Sequence, residues 1–409
     1  MPKISKITCH KTLNSRGDWT IETKVTLDDG SEGVYSVPEG ASKGENEAVY
    51  IPVEKAIDVV SSVINEALNG EDAFNQSKID QILIDMDGTE NKRHLGGNSI
   101  LSVSLGCAKA SAVSKKIPLY KYLGDLYGNN TFSAPTPLFN IINGGKHATN
   151  NLSFQEFMVI PAKKYNFNDA YEIGVKVYHS LEKVLKKKGY ETEVGDEGGF
   201  APENITASIA FDLIKEAISS CKLKVGEDVF LGNDAAAESF RKPGSYFIKE
   251  ENLNLNTKNL ITYYTNLLSK FEIIYLEDPF YENDFEGWTE FMKLESEKLL
   301  IVGDDLVVTN TKILKKAVEK KLLNAVIVKP NQVGTLTETL DFIKLAKNFG
   351  LSVIVSHRSG DSASDTFISD LSVSVNADFL KAGAPSRGER VAKYNRLYEI
   401  YLEMKREPA

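Results

Sequence analysis

Five short apolar runs in the second half of the chain, "VFLGND", "IIYLED", "LLIVGDD", "AVIVKPN" and "SVIVSHRSG", each end in charged or polar residues, and a weaker sixth is "DFLKAG". Parallel strands covered on both faces read as continuous apolar runs, and these do. From Glu277 onward the polar ends recur about every 25 to 30 residues, the length of one strand–helix unit in a barrel. Helical patterns such as "TNTKILKKAVEKKLL" and "TLTETLDFIKLAKNFG" lie between them. The pattern predicts an α/β fold containing a (β/α)8-type barrel, whose C-terminal strand ends meet at one mouth. A doubly wound sheet is the competing architecture, but no glycine-rich dinucleotide fingerprint opens it.

The first part of the chain reads as α+β. "TIETKVTL" puts Ile21, Val25 and Leu27 on one strand face, and "GVYSVP" is its partner beyond the Asp28-Asp29-Gly30 turn. Pro52 suits the first turn of a helix whose apolar face runs Ile57, Val60, Ile64 and Leu68 and which stops near Gly70. "NSILSVSLGCAKASAVSKK" is a second helix, rich in small residues that permit close packing. "SAPTPLF", with Pro135 and Pro137, marks the boundary. The expected organisation is an N-terminal α+β capping domain over 1–130 and a barrel domain over 131–409.

A net charge of −9 argues against nucleic acid or an anionic membrane as partner. No apolar run approaches the roughly 20 residues of a membrane helix, and "MPKISKITCHKTLNSRG" lacks a signal-peptide core. Cys9, Cys107 and Cys221 are far apart with no CxxC, which favours reduced thiols and a cytoplasmic location.

The run-end residues Asp234, Glu277, Asp304, Lys329, His357, Arg358 and Lys381 form the candidate site. A lone acid after a strand more often caps the next helix. Closing a barrel, however, brings distant strand ends to one place. Three carboxylates there suit a hard cation such as Mg²⁺, and no Cys or His pair has zinc spacing. The basic residues suit an anionic substrate. Lys329 can form a Schiff base, or act as a general base if neighbouring cations lower its pKa; Mg²⁺ and Lys381 nearby favour the second. Proton removal beside a carboxylate gives a doubly charged aci-carboxylate that metal ions can stabilise. "TEVGDEGGFAPE" adds Asp196 and Glu197 beside two glycines, either a surface turn or part of an acid–base site.

The ordered set of motifs resembles the enolase family: "SRG" at Ser15, "GASKG" at Gly40, "NIINGGKHATNNLSFQEFM" at Asn140, "GDEGGFAP" at Gly195, "LEDPF" at Leu276, "GDDLVVTN" at Gly303, "VKPNQVGTLTET" at Val328, "SHRSG" at Ser356 and "KAGAPSRGER" at Lys381. The resemblance implies Mg²⁺-dependent dehydration of 2-phosphoglycerate to phosphoenolpyruvate in glycolysis and gluconeogenesis. It makes Lys329 the base for the C2 proton and Glu197 the acid that helps expel the C3 hydroxyl, assisted by Glu156. Asp234, Glu277 and Asp304 become Mg²⁺ ligands, Arg358 and Ser359 phosphate contacts, and Lys381 a carboxylate contact. Gln155 and His357 join the substrate contacts, while His147 and Ser42 belong to loops that close over substrate. The glycines after Glu197 are expected to let substrate and loops approach. A homo-oligomer is also implied.

The chain departs from the family pattern in its first loop, where "EGASKG" adds Glu39 and Lys43, and in a shortened segment before "YIPVEKAI". "NSRGDWT" replaces the usual Asp-Ser-Arg-Gly-Asn-Pro-Thr. Glu399 stands where the family has an arginine that pairs with a partner subunit's glutamate, here matched by Glu22, so a weaker or rearranged dimer contact is expected. The alternatives are a paralog acting on a related phospho- or phosphono-carboxylate, and a catalytically silent enolase-like binding protein.

Overall fold

The computed structural model describes residues 1–40, 44 and 46–406. An antiparallel sheet opens the chain, with Trp19–Leu27 between Ile4–Leu13 and Glu32–Ser36. Ile21, Val25 and Leu27 are buried, as their alternation requires. Helix Gly97–Lys115 lies so close to this sheet that a Cβ at Gly33 would sit 2.2 Å from the Gly106 carbonyl oxygen. Small residues are thus a condition of that packing. The helix expected after Pro52 forms, but Pro52 is its N-cap and not a first-turn residue. It passes from Val53–Val59 through a π turn to Asn65–Leu68. Ala56, Val60, Ile64 and Leu68 are buried, whereas Ile57 is half-buried. A spacing of four runs back from Val60 to Ala56, which displaces Ile57 from the predicted face.

Eight strands close a barrel in chain order: Thr136–Asn143, Glu156–Pro161, Val229–Asp234, Ile273–Glu277, Leu300–Gly303, Ala325–Val328, Ser352–Ser356 and Phe379–Lys381. The last six are the six apolar runs. Glu156–Pro161 runs antiparallel to both neighbours, unlike the other strands of the ring. Residues 144–155 contain one short 3-10 turn, Gly145–His147, and no crossover helix. Parallel neighbours need such a crossover, so the chain turns back as a hairpin. The beginning of this strand therefore reaches the mouth, and Glu156 lies opposite Asp234.

The strands' alternation places the site. Leu138, Met158, Ile160, Tyr275, Val302, Ala325, Ile327, Ile354 and Phe379 form the cluster inside the barrel. Their sequence neighbours Ile301, Val326, Val328, Val353 and Val355 join the larger core toward the helices. Two residues beyond Tyr275, Val302, Ile327 and Phe379 stand Glu277, Asp304, Lys329 and Lys381; two before Met158 stands Glu156. The period of two thus makes these polar groups the next inward layer. No described helix is long and apolar enough to cross a membrane.

Asp80, on helix Gln76–Asp87, ties the first part of the chain to the barrel. It accepts hydrogen bonds from Gln76 Nε2 (2.9 Å) and from Thr337 N and Oγ1 (2.8 and 2.6 Å). Burial pushes its carboxyl up to about 6 against hydrogen bonds from Ser104, Thr337 and Gln76 that favour the charged form. Because the folded pKa lies above the unfolded one, its stability contribution is full below about pH 4 and is lost as pH rises through about 6. The stability advantage of wild type over Asp80→Asn is therefore expected to shrink by up to about 3 kcal/mol between pH 4 and 7. Thermal unfolding of both proteins across that range measures it; a constant or widening gap contradicts the assignment.

Candidate active site

Lys381 lies at the centre of the polar layer, its ammonium 2.7 Å from Glu277 Oε2, 3.0 Å from Asp234 Oδ2 and 3.1 Å from Glu156 Oε1. Burial opposes its charge, but Asp234, Glu156 and Glu277 outweigh that and hold the amine well above the ordinary lysine range. Burial, then the charge of Asp234, push Glu277 up to about 8. Glu277 Oε2 also accepts from the Tyr275 hydroxyl at 2.5 Å. Its other oxygen is buried with no hydrogen-bond partner among the described residues.

That orphaned oxygen tests whether the carboxylates fit a metal. Asp234 and Glu277 end two successive strands of the ring, Asp304 directly follows the next, and all three offer only oxygen, the donor type a hard divalent cation takes. A buried acceptor without a donor is costly, and a cation would satisfy it. The donor set fits. In this arrangement Asp234 and Glu277 face Lys381, whereas Asp304 contacts Lys329 Nζ and accepts from Gln332 Nε2 at 2.9 Å. Asp278, Asp304 and Asp305 also lie close together. The Asp278 oxygens, however, accept from the backbone N–H groups of Asp304 (3.0 Å) and Asp305 (2.9 Å), so Asp278 shapes the loop.

Lys329 caps the short helix Pro330–Val333. General-base chemistry at Lys329 depends on neighbouring cations lowering its pKa. Arg358 and Lys381 do act in that direction, as does burial, which is the larger influence. Direct contact with Asp304 nevertheless leaves the amine above its ordinary value. The nearest carboxylate wins over the more distant cations.

Glu197 Oε2 accepts from Asn140 Nδ2 at 3.0 Å, and its Oε1 lies 3.3 Å from His147 Nε2 and 3.4 Å from His357 Nε2. Burial would raise this carboxyl, but His147 and then His357 hold it well below the usual range. Glu156 moves the other way, raised by burial and then by the charge of Glu197. Burial lowers both histidines, His357 to about 3. His147, Glu156 and Glu197 bring potential ligand atoms within 4.8 Å of one another. Two close carboxylates in such a site favour one shared proton, with Glu197 charged and Glu156 protonated.

The glycines after Glu197 lie against other parts of the chain. A Cβ at Gly199 would lie 3.0 Å from Asn143 Oδ1. One at Gly198, where φ is +83°, would lie 2.7 Å from the Ser386 carbonyl oxygen. They let the turn seat against neighbouring loops.

Arg358 is paired with Glu47 at 3.1 and 3.4 Å and donates to Asn331 Oδ1 at 3.4 Å. Ser359 Oγ accepts from Arg16 at 3.2 Å, and Gln155 Nε2 approaches Asp234 Oδ2 at 3.5 Å. Ser42 and Lys43 lie outside the described residues. Glu39 exchanges backbone hydrogen bonds with Gly360 at 2.9 and 2.8 Å, placing it against the "SHRSG" loop. A cavity of about 40 Å³ is lined by Gln155, Glu156, Glu197, Asp234, Asp304, Lys329, His357, Arg358, Ser359 and Lys381, among others. Of the further groups that hold the site, Asn140, Glu47 and Arg16 fall inside or beside the quoted motifs, the only signal the sequence carried for them.

Within the chain, Glu22 Oε2 accepts from Ser36 Oγ at 2.5 Å and Glu399 pairs with Arg396 at 3.3 Å. Two family descriptions match the chain: "Enolase, N-terminal domain" over residues 4–123 and "Enolase, C-terminal TIM barrel domain" over residues 131–408.

Proposed function

As the chain belongs to the enolase family, we propose that it is a Mg²⁺-dependent phosphopyruvate hydratase, interconverting 2-phosphoglycerate and phosphoenolpyruvate. The observation that carries this reading is the two-sided cavity, with Lys329 set against Asp304 on one side and the Glu156–Glu197 pair on the other. Lys381 and Arg358 add cations that suit a substrate carrying carboxylate and phosphate. Ser359, Gln155 and His357 complete the substrate contacts, and Ser42 and His147 serve closure.

Asp234, Glu277 and Asp304 would hold the metal, and a bound Mg²⁺ supplies electrostatic stabilisation of charge developing on the substrate carboxylate. Lys329 accepts the C2 proton as its neutral amine, so Asp304 must first give up its hold on the ammonium form. The C2–H electron pair moves toward the carboxylate to give the aci-carboxylate, and then forms the C2–C3 double bond. As the C3–O bond breaks, the proton held by the Glu156–Glu197 pair passes to the departing hydroxyl, which leaves as water. In this reading residues 1–130 cap a barrel domain over 131–409, and the protein is a cytoplasmic homo-oligomer.

A paralog acting on a related phospho- or phosphono-carboxylate is the second reading, motivated by Glu39 beside the loop that bears Arg358. Adding 2-phosphoglycerate and Mg²⁺ is expected to produce phosphoenolpyruvate, followed by its ultraviolet absorbance. EDTA should stop turnover and excess Mg²⁺ restore it. Absence of product with Mg²⁺ would turn the assignment toward the paralog or the silent binding protein. Undiminished turnover after exhaustive chelation would overturn the metal requirement.

A further inference from the structure

We propose that Arg390 is a positioning residue that holds His357 neutral, with its proton on Nε2, and thereby fixes the hydrogen bond from His357 to Glu197. A guanidinium can only donate. Its NH1 group lies 2.5 Å from His357 Nδ1, so Nδ1 is the acceptor and the ring hydrogen belongs on Nε2. Nε2 faces Glu197 Oε1 at 3.4 Å, where a carboxylate can only accept. The other tautomer would set an N–H against a guanidinium N–H and leave the carboxylate facing a lone pair. An imidazolium would set two cations in contact.

Arg390 is itself immobilised. It is fully buried, and its NH1 group also reaches the Arg358 carbonyl oxygen at 2.8 Å and Asp361 Oδ2 at 3.2 Å. Lys393 Nζ shares that Asp361 oxygen at 2.8 Å. The NH2 group donates to the carbonyl oxygens of Ser359 (2.5 Å) and Asp196 (3.4 Å). One guanidinium therefore joins the segment bearing His357, Arg358 and Ser359 to the segment bearing Glu197. Gly383 makes room for it: a Cβ there would lie 3.0 Å from Arg390 Cδ and 2.8 Å from the Glu197 carbonyl oxygen. The consequence for catalysis rests on the dehydratase reading, because a correctly oriented Glu197 matters to the departure of the C3 hydroxyl. The tautomer itself does not.

The test has a spectroscopic arm and a kinetic arm. In the ¹⁵N-histidine-labelled full chain, nuclear magnetic resonance should show the His357 ring with a proton on Nε2 and an unprotonated Nδ1, assigned by comparison with His357→Asn. A proton on Nδ1 in wild type overturns the proposal without any Arg390 variant. Arg390→Met should lose the single tautomer and slow dehydration about 10- to 100-fold, the usual scale for losing a partner that orients a functional group. At saturating substrate it should leave C2-proton exchange close to wild type, and Arg390→Lys should recover part of both the tautomer and the rate. An unchanged tautomer in Arg390→Met, or equal loss of exchange and dehydration, assigns Arg390 a merely structural role. If Arg390→Met does not fold, wild type and Arg390→Lys decide. If wild type makes no phosphoenolpyruvate, the dehydratase reading fails and the spectroscopic arm still decides the tautomer.

Discussion

Replacing Lys329 by alanine is expected to abolish both turnover and exchange of the substrate's C2 proton with solvent. Loss of a positioned general base alone accounts for about 10² to 10⁴ in rate. Among the described residues, the other lysine lining the cavity is Lys381, which Glu156, Asp234 and Glu277 hold in its charged form. The same substitution removes the cation that now contacts Asp304, leaving that carboxylate free for metal. Mg²⁺ affinity should therefore be preserved or increased while activity is lost, which separates a missing base from a damaged site. Deuterium incorporation at C2 reads the first effect and Mg²⁺ titration by calorimetry the second. Exchange at the wild-type rate in the variant would mean that some other group is the base.

The sequence showed six of the barrel's eight strands because strands covered on both faces must be apolar throughout. Thr136–Asn143 was obscured by Pro135 before it and by Pro137 and Asn140 within it. Asn140 follows Leu138 in the inward register and donates to Glu197, so its polarity belongs to the site. Glu156–Pro161 was obscured by its direction. Reading polar residues off the ends of apolar runs finds Asp234, Glu277, Asp304, Lys329 and Lys381, but it passes over Glu156, which begins a reversed strand. Only the motif resemblance supplied Glu156. Arg390 was harder still. In "GERVAKYNR" it has the composition of a solvent-facing helix, and its burial follows from long-range contacts with residues 196, 357, 359 and 361. The protonation of Lys329 was also beyond the sequence, since it turns on which side chain touches the amine.

Glu197→Gln should block dehydration while leaving C2-proton exchange, because Lys329 and its surroundings are untouched. The substitution preserves size but gives up an acceptor. Glu197 now takes Asn140 Nδ2 on one oxygen and faces both histidines with the other. An amide has one accepting oxygen, so either Asn140 or the histidine pair meets an N–H group and loses its partner. The change also acts on Glu156. That carboxyl is kept high by burial and then by the negative charge of Glu197; without the charge its pKa falls, and it holds its proton less firmly. The acid side of the cavity is thus weakened at both members, and the expected loss of dehydration is about 10² to 10⁴. Following deuterium incorporation and phosphoenolpyruvate formation in the same sample separates the two steps. Dehydration at the wild-type rate would remove Glu197 from proton delivery. Loss of exchange in parallel with dehydration would instead show that Glu197 supports substrate binding or the base side, and the division of labour across the cavity would have to be redrawn.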